Sequence, residues 1–325
     1  MQRVYLDQNK WLDLARAAHD RAGGQDFKDA LAISRYGVER GLVSFPLSAS
    51  HYMETLRRGD AASRHRLAMV MAELSRFHAI ASVPDVLPGE LDRALRERYG
   101  KPVFPRPVQV FGVGIAHAFA NPDFKYRLPE EVRVDAYTKA RLEEQATLLL
   151  EHAVLAGPPQ GVPVPGMEDD HYRLYGQRYV EAEQRIAEGL RQHDPRRLHL
   201  ADWIAWSEII DILQPLNEAF ARAPIAKRES AELETVEGMT GLLMDLPSRA
   251  VTYELRRLRQ QSRDTKWKPN DLGDVASLSI AIPYCDVVVT ERQWSHMARR
   301  AELDRRFNTV ILHDLKELAA VLVAA

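Results

Sequence analysis

The chain has 325 residues, 46% of them hydrophobic and 28% charged, with a formal net charge of −2. That is enough for one large or two modest globular domains with a sizeable core. It excludes a general polyanion binder with a wholly basic surface, though not one with a local basic groove. A single cysteine, Cys285, excludes an internal disulfide and any cysteine-built zinc site.

The opening MQRVYLDQNK lacks the apolar stretch of a signal peptide, and no run approaches the ~20 apolar residues of a membrane span. A soluble, cytoplasmic protein without a membrane partner is therefore expected.

Taken in chain order, Val4-Tyr5-Leu6 is a short apolar strand that stops at Asp7. Trp11, Leu14, Ala15 and Ala18 then recur at helical spacing, and 27–40 reads as a second helix ended by Gly41. A strand is expected over 43–47. Ser48 or Ser50 then caps the helix carrying Tyr52, Met53 and Leu56. Helix over 67–77, a β-like run at 80–83 and helix over 90–98 follow. This alternation favours a parallel α/β sheet.

The alternation then stops. Proline-rich stretches at 101–107 and 157–166 read as loops. Between and after them lie long helical patterns over 130–155, 169–191, 200–223 and 229–261. Alternation resumes with a capped helix over 271–282, the β-branched run Asp286-Val287-Val288-Val289, helix over 291–304, a strand at 309–312 and a closing helix over 314–323. The simplest architecture is one α/β domain built from both termini, residues 1–100 and 266–325, with a mainly helical region, 101–265, inserted into it. Loop-closure entropy grows slowly with length, so such an insertion is tolerated.

Three carboxylates stand where chemistry needs them. Asp7 ends the first strand, Glu54 lies in the helix after the second, and Asp274 lies in the first turn of the helix before Val287. Ligands of open parallel sheets collect at the carboxyl ends of strands. Carboxylate oxygens suit Mg2+ or Mn2+, and no histidine or cysteine cluster has zinc spacing. Each residue also has a plainer reading: Asp7 as a helix N-cap, Glu54 on a solvated face beside Arg57 and Arg58, Asp274 favouring its helix N-terminus.

Asp7-Gln8-Asn9 after Val4-Tyr5-Leu6 resembles the opening motif of PIN-domain nucleases. Ser48-Ala49-Ser50-His51-Tyr52-Met53-Glu54 resembles their second motif. Asp274-Val275-Ala276-Ser277-Leu278, followed by Asp286-Val287-Val288-Val289-Thr290, resembles the third and fourth, with Thr290 sixteen residues after Asp274. The likeness covers about residues 1–100 and 266–325. It departs in two places. Arg292 stands where the family commonly has an aspartate, with Glu291 one place early, and the inserted region has no counterpart in compact members.

The resemblance implies a PIN-like parallel sheet flanked by helices and a metal-dependent endoribonuclease. Asp7, Glu54 and Asp274 would hold Mg2+ or Mn2+, with Asp271 or Glu291 assisting and the Thr290 hydroxyl orienting a carboxylate or water. It also implies an RNA substrate and, in toxin–antitoxin or defence systems, an inhibitory protein partner. The inserted helices would select substrate, bind a regulator or form a homo-oligomer.

Asn9 could hydrogen-bond Asp7 or a phosphate. Asp271, with Asn270, is equally a good helix cap. Arg256, Arg257, Arg259, Arg263, Lys266 and Lys268 place six cations within thirteen residues leading into Asp274. The run reads as a solvated helix face, or as a phosphate contact through Arg263, Lys266 and Lys268. Two other readings stand beside the nuclease: a PIN-like binding scaffold without catalysis, and a metal-dependent phosphatase on a similar sheet.

Overall fold

The computed structural model describes all residues except 104–107, 122–123, 125, 158–168, 193–198, 224, 226–229, 262–265 and 324–325. Among the described residues six short strands form: β1 (Gln2–Leu6), β2 (Val43–Ser44), β3 (His78–Ile80), β4 (Phe111–Val113), β5 (Val287–Val289) and β6 (Val310–Leu312). Four of them make a parallel sheet in the order β2-β1-β5-β6, so the first and last parts of the chain share one sheet. Its register pairs Leu6 with Val289 and Val289 with Leu312.

Side chains alternate across the pleat. Val4, Leu6, Val287, Val289 and Leu312 enter one hydrophobic core, and Tyr5, Val288 and Ile311 enter the other. The first core lies against α1 (Gln8–Ala18), α2 (Lys28–Glu39), α3 (Ala49–Leu56) and α4 (Ala61–Ser75), through Trp11, Leu14, Leu31, Tyr52 and Leu67.

The expected strand over 43–47 is interrupted. Pro46 has no N–H to give a ladder, so only Val43–Ser44 pairs with β1, and Leu47 instead bridges to Ala79. The run expected to join the main sheet near residue 80 pairs antiparallel with β4. Helix α5 (Val83–Arg98) starts well before the expected 90, because Ser82 is extended and Pro84 suits the first turn.

The middle of the chain supplies α6 (Gly114–Ala118), α7 (Ala136–Ala156), α8 (Asp169–Gln192), α9 (Leu200–Asp211), α10 (Leu213–Arg222), α11 (Val236–Asp245) and α12 (Pro247–Gln261). The pattern over 200–223 divides at Ile212, and that over 229–261 divides where Pro247 opens a new helix. A third core joins Leu87, Leu91 and Leu95 of α5 to Ile204, Ile209, Leu216, Leu242 and Leu243. Residue 100 therefore marks no break in packing.

Glu151 of α7 accepts hydrogen bonds from the Ile115 N–H (2.7 Å) and the Tyr52 hydroxyl (3.2 Å), fastening the middle region to α3. Gly114, with φ of 82°, allows this approach; a Cβ there would meet Glu151 Oε1 at 2.2 Å. Among the described residues no helix is long and apolar enough to cross a membrane.

Helix α13 (Asp271–Tyr284) packs along α12 and contributes Leu278 and Ile282 to the second core, together with Trp294 of α14 (Arg292–Arg300). The chain ends with α15 (Leu303–Phe307) and α16 (Leu318–Val323), the latter against α2.

Arg256 of α12 is buried and pairs with Glu183 of α8 at 2.6 Å and with Glu208 of α9; both glutamates are fully buried. Removing the cation leaves, among the described residues, buried Glu183 without a counter-charge and buried Glu208 with Arg249 alone, at 3.0 Å. Arg256→Met should therefore lower unfolding free energy in a urea titration by about 3–5 kcal/mol. A loss near zero would show that the helical region does not depend on this junction.

Candidate functional site

The sheet register determines which residues meet at its carboxyl edge. One residue beyond the paired Leu6 and Val289 stand Asp7 and Thr290. The Asp7 N–H donates to Val289 O (2.9 Å) and the Thr290 N–H to Leu312 O (3.0 Å). Asp7 is also the N-cap of α1, its Oδ1 accepting from the Gln8 N–H at 2.7 Å. The other oxygen, Oδ2, accepts from the Thr290 hydroxyl at 3.2 Å. Cap and site position are the same residue, using different oxygens.

Helix α3 is tied to the end of β1 by His51. Nδ1 accepts from the Ser48 N–H (2.9 Å), and Nε2 donates to Leu6 O (2.8 Å). Burial pushes the His51 pKa down to about 3, so the ring is neutral. This anchor holds Glu54 beside Asp7.

Helix α13 is held to α3 by hydroxyls. Ser277 Oγ lies within hydrogen-bond distance of Ser50 Oγ (3.0 Å) and Ser48 Oγ (3.3 Å), and Ser50 Oγ donates to Gly273 O (3.4 Å). The buried Tyr5 hydroxyl engages Ser48 and Ser277. Asp274 then accepts from the indole Nε1 of buried Trp294 at 3.0 Å. Glu291, exposed at the start of α14, accepts from the Asn9 side-chain amide.

These carboxylates feel one another. The Asp7 pKa is raised, first by burial and then by Glu291, against the opposing Gln8 N–H bond. Glu54 is raised to about 7 by burial and then by Asp7. Asp274 is raised to about 8 by burial, then by Asp7 and Glu54. Buried groups of like charge disfavour each other's ionisation. Lys10, whose ammonium donates to His313 O at 2.7 Å, partly offsets Asp7.

Asp7, Glu54, Asp274, Thr290, Glu291 and Asn9 thus come to one edge of the sheet. Among the described residues no three His, Cys, Asp or Glu side chains stand close enough, as oriented, to hold a metal ion.

Asp271 does not share the cluster's arrangement. Its Oδ2 accepts from Arg259 (2.7 Å) and from the Lys268 N–H (2.8 Å), which makes it a buried, ion-paired residue just after the N-cap Asn270. The basic run divides. Arg256 and Arg259 are buried in ion pairs, and Arg257 pairs with Glu254. Lys266 and Lys268 are exposed, and Arg263 lies outside the described residues.

His51, Trp294, Lys10 and the Tyr5–Ser48–Ser277 hydroxyls are the contributors that sequence reasoning passed over. Trp294, four residues after Thr290, reaches Asp274 because α14 packs against α12, which also lies along α13, an arrangement no local pattern announces.

Comparison with family models, with curated proteins and with solved structures yields no match.

The raised acid pKa values carry a stability consequence. Between the unfolded value near 4 and the folded value of about 8, Asp274 binds more protons folded than unfolded, so stability falls as pH rises through that window. Asp274→Asn removes the ionisation and keeps an acceptor for Trp294. Without divalent ions it should be about as stable as the wild type at pH 4 and more stable by roughly 2–5 kcal/mol at pH 9. Denaturant titrations at the two pH values measure this; a gain independent of pH would place the carboxylate outside the repulsive cluster.

Proposed function

We propose that this chain is a metal-dependent endoribonuclease of the PIN-like kind, hydrolysing RNA phosphodiester bonds at the carboxyl edge of the parallel sheet. The observation that supports the reading is the gathering of Asp7, Glu54 and Asp274, with Glu291 at the rim, so that each acid raises the pKa of the next. A protein holds mutually repelling carboxylates in a half-buried site at a cost to its own stability, and a divalent cation is the ligand that relieves it. The donor set is oxygen alone, which suits Mg2+ or Mn2+.

Asp7, Glu54 and Asp274 would hold the ion, assisted by Glu291. Such an ion lowers the pKa of a coordinated water and offsets charge on the leaving oxygen. The chain's own groups do the positioning. Thr290 fixes one oxygen of Asp7, Trp294 fixes Asp274, and His51 fixes the helix that carries Glu54. Asn9 turns Glu291 toward the cluster's mouth. The middle helices, fastened to α3 through Glu151, would choose the RNA or receive a regulator such as an inhibitory protein.

A PIN-like scaffold without catalysis is the second reading. It is favoured by the hydrogen bonds that already engage Asp274 and Glu291, and by the absence, among the described residues, of three acids close enough to enclose an ion.

The two readings part on one experiment. Purified protein should cut single-stranded RNA in MnCl2 and lose that activity on chelation. Asp7→Asn should bring cleavage to background while keeping the fold, and Trp294→Phe should reduce it about 10–100-fold through its support of Asp274. Mn2+ should also raise the melting temperature of the wild type but not of Asp7→Asn, by mass action on the folded state. A Mn2+ shift without cleavage points to the scaffold; neither effect removes the metal site altogether.

A further inference from the structure

Apart from the carboxylate cluster, one cleft of about 300 Å3 is lined by four arginines: Arg16, Arg21, Arg58 and Arg66. It lies between the last turns of α1, the bend that follows, the loop leaving α3 and the first turns of α4. Asp60 is the only acid among its lining residues. The chain as a whole carries a formal charge of −2, so this is a local reversal of sign.

The cations are poorly compensated. Arg66 stands 3.8 Å from Asp60, beyond hydrogen-bond reach. Arg16 pairs with Asp13 at 2.8 Å, but half of its side chain is exposed. Arg58 reaches Ser63 Oγ at 3.3 Å, while its buried Nε has no hydrogen-bond partner. Arg21 is exposed, and its side chain makes no ion pair among the described residues. Guanidinium forks match phosphate oxygens two at a time and keep their charge at any physiological pH. Four of them around a cleft of this size form a receptor for a phosphate group and its sugar rather than for a lone carboxylate.

The cleft's position says which phosphate. Arg58 follows Glu54 by four residues, about one helical turn, at the exit of α3. Arg16 follows Asp7 by nine residues along α1, about 14 Å at 1.5 Å per residue. Two of the helices that bring acids to the cluster, α1 and α3, therefore lead on to arginines of the cleft.

We propose that this cleft holds a backbone phosphate of a nucleic-acid strand whose neighbouring segment lies across the carboxylate cluster. Nucleic acid as the ligand rests on the nuclease reading above; phosphate recognition rests on the arginines alone.

The test is binding, with cleavage left aside. In the full-length Asp7→Asn protein, affinity for a labelled single-stranded RNA is measured across a NaCl series, with and without Arg21→Gln and Arg66→Gln together. The double change should weaken binding on the order of tenfold and lower the slope of log K against log salt by about 1.4, or 0.7 per lost contact. Arg21→Lys with Arg66→Lys should restore most of the slope, which a merely structural role would not do. Equal affinity and slope in the parent and the Gln variant would overturn the proposal. So would an ADP-induced rise in melting temperature that the Gln variant loses while its RNA binding is unchanged, because the cleft would then serve a free nucleotide. RNA held through the cleft by a protein that never cuts it would sink the nuclease reading and leave this one standing.

Discussion

The pairing of β1 with β5 is the constraint on which the rest depends. Parallel strands put their carboxyl ends on the same edge, and the Leu6–Val289 register puts Asp7 and Thr290 side by side there. A shift of one residue would turn every side chain of β1 to the other face and exchange the two cores. The acidic edge is thus specified by the same alternation of Val4, Tyr5 and Leu6 that divides the hydrophobic interior.

Around that edge the protein sets polar devices against an unfavourable electrostatic arrangement. Desolvation and like charge both oppose ionisation of Asp7, Glu54 and Asp274. Neutral hydrogen bonds oppose the splaying apart of the helices that carry them. His51 spans from α3 to β1, and Ser277 spans from α13 to α3. None of these anchors adds charge, so they restrain geometry without cancelling the field at the cluster. Farther out the charges are cancelled: Arg256 meets Glu183 and Glu208, and Arg259 meets Asp271. The same residue types are left in tension at one place and neutralised at another.

Much of this was legible in the sequence. Asp7, Glu54, Asp274 and Thr290 each sit just past a short apolar strand or in an early turn of the helix beside one, and a parallel sheet gathers such positions. The α/β class and the helical middle followed from where the period changed. Other features are properties of the assembled chain. Pro46 splits a convincing strand, and β3 finds β4 rather than the main sheet. The run from Arg256 to Lys268 looks like one basic face, yet helical rotation sends Arg256 inward to acids far back in the chain and Arg259 inward to Asp271, twelve residues on. The arginine cleft is hidden for the converse reason. Arg16, Arg21, Arg58 and Arg66 are dispersed over fifty residues and form no run at all.

The closure of the sheet by its two most distant parts has a consequence for timing. Asp7 and its partner Thr290 are 283 residues apart in the chain. At roughly 5–20 residues per second, a ribosome needs roughly 15–60 s to bridge that interval. From residue 44 onward the first strand has β2 to pair with but not β5, and until Thr290 is made Asp7 lacks its hydroxyl partner. The acidic centre therefore cannot exist on a nascent chain that has not yet reached Thr290, whatever the helices between have already built. It comes into being only when β5 has paired with β1, and any truncation that removes residues 286–325 leaves a protein without β5, β6 and Thr290.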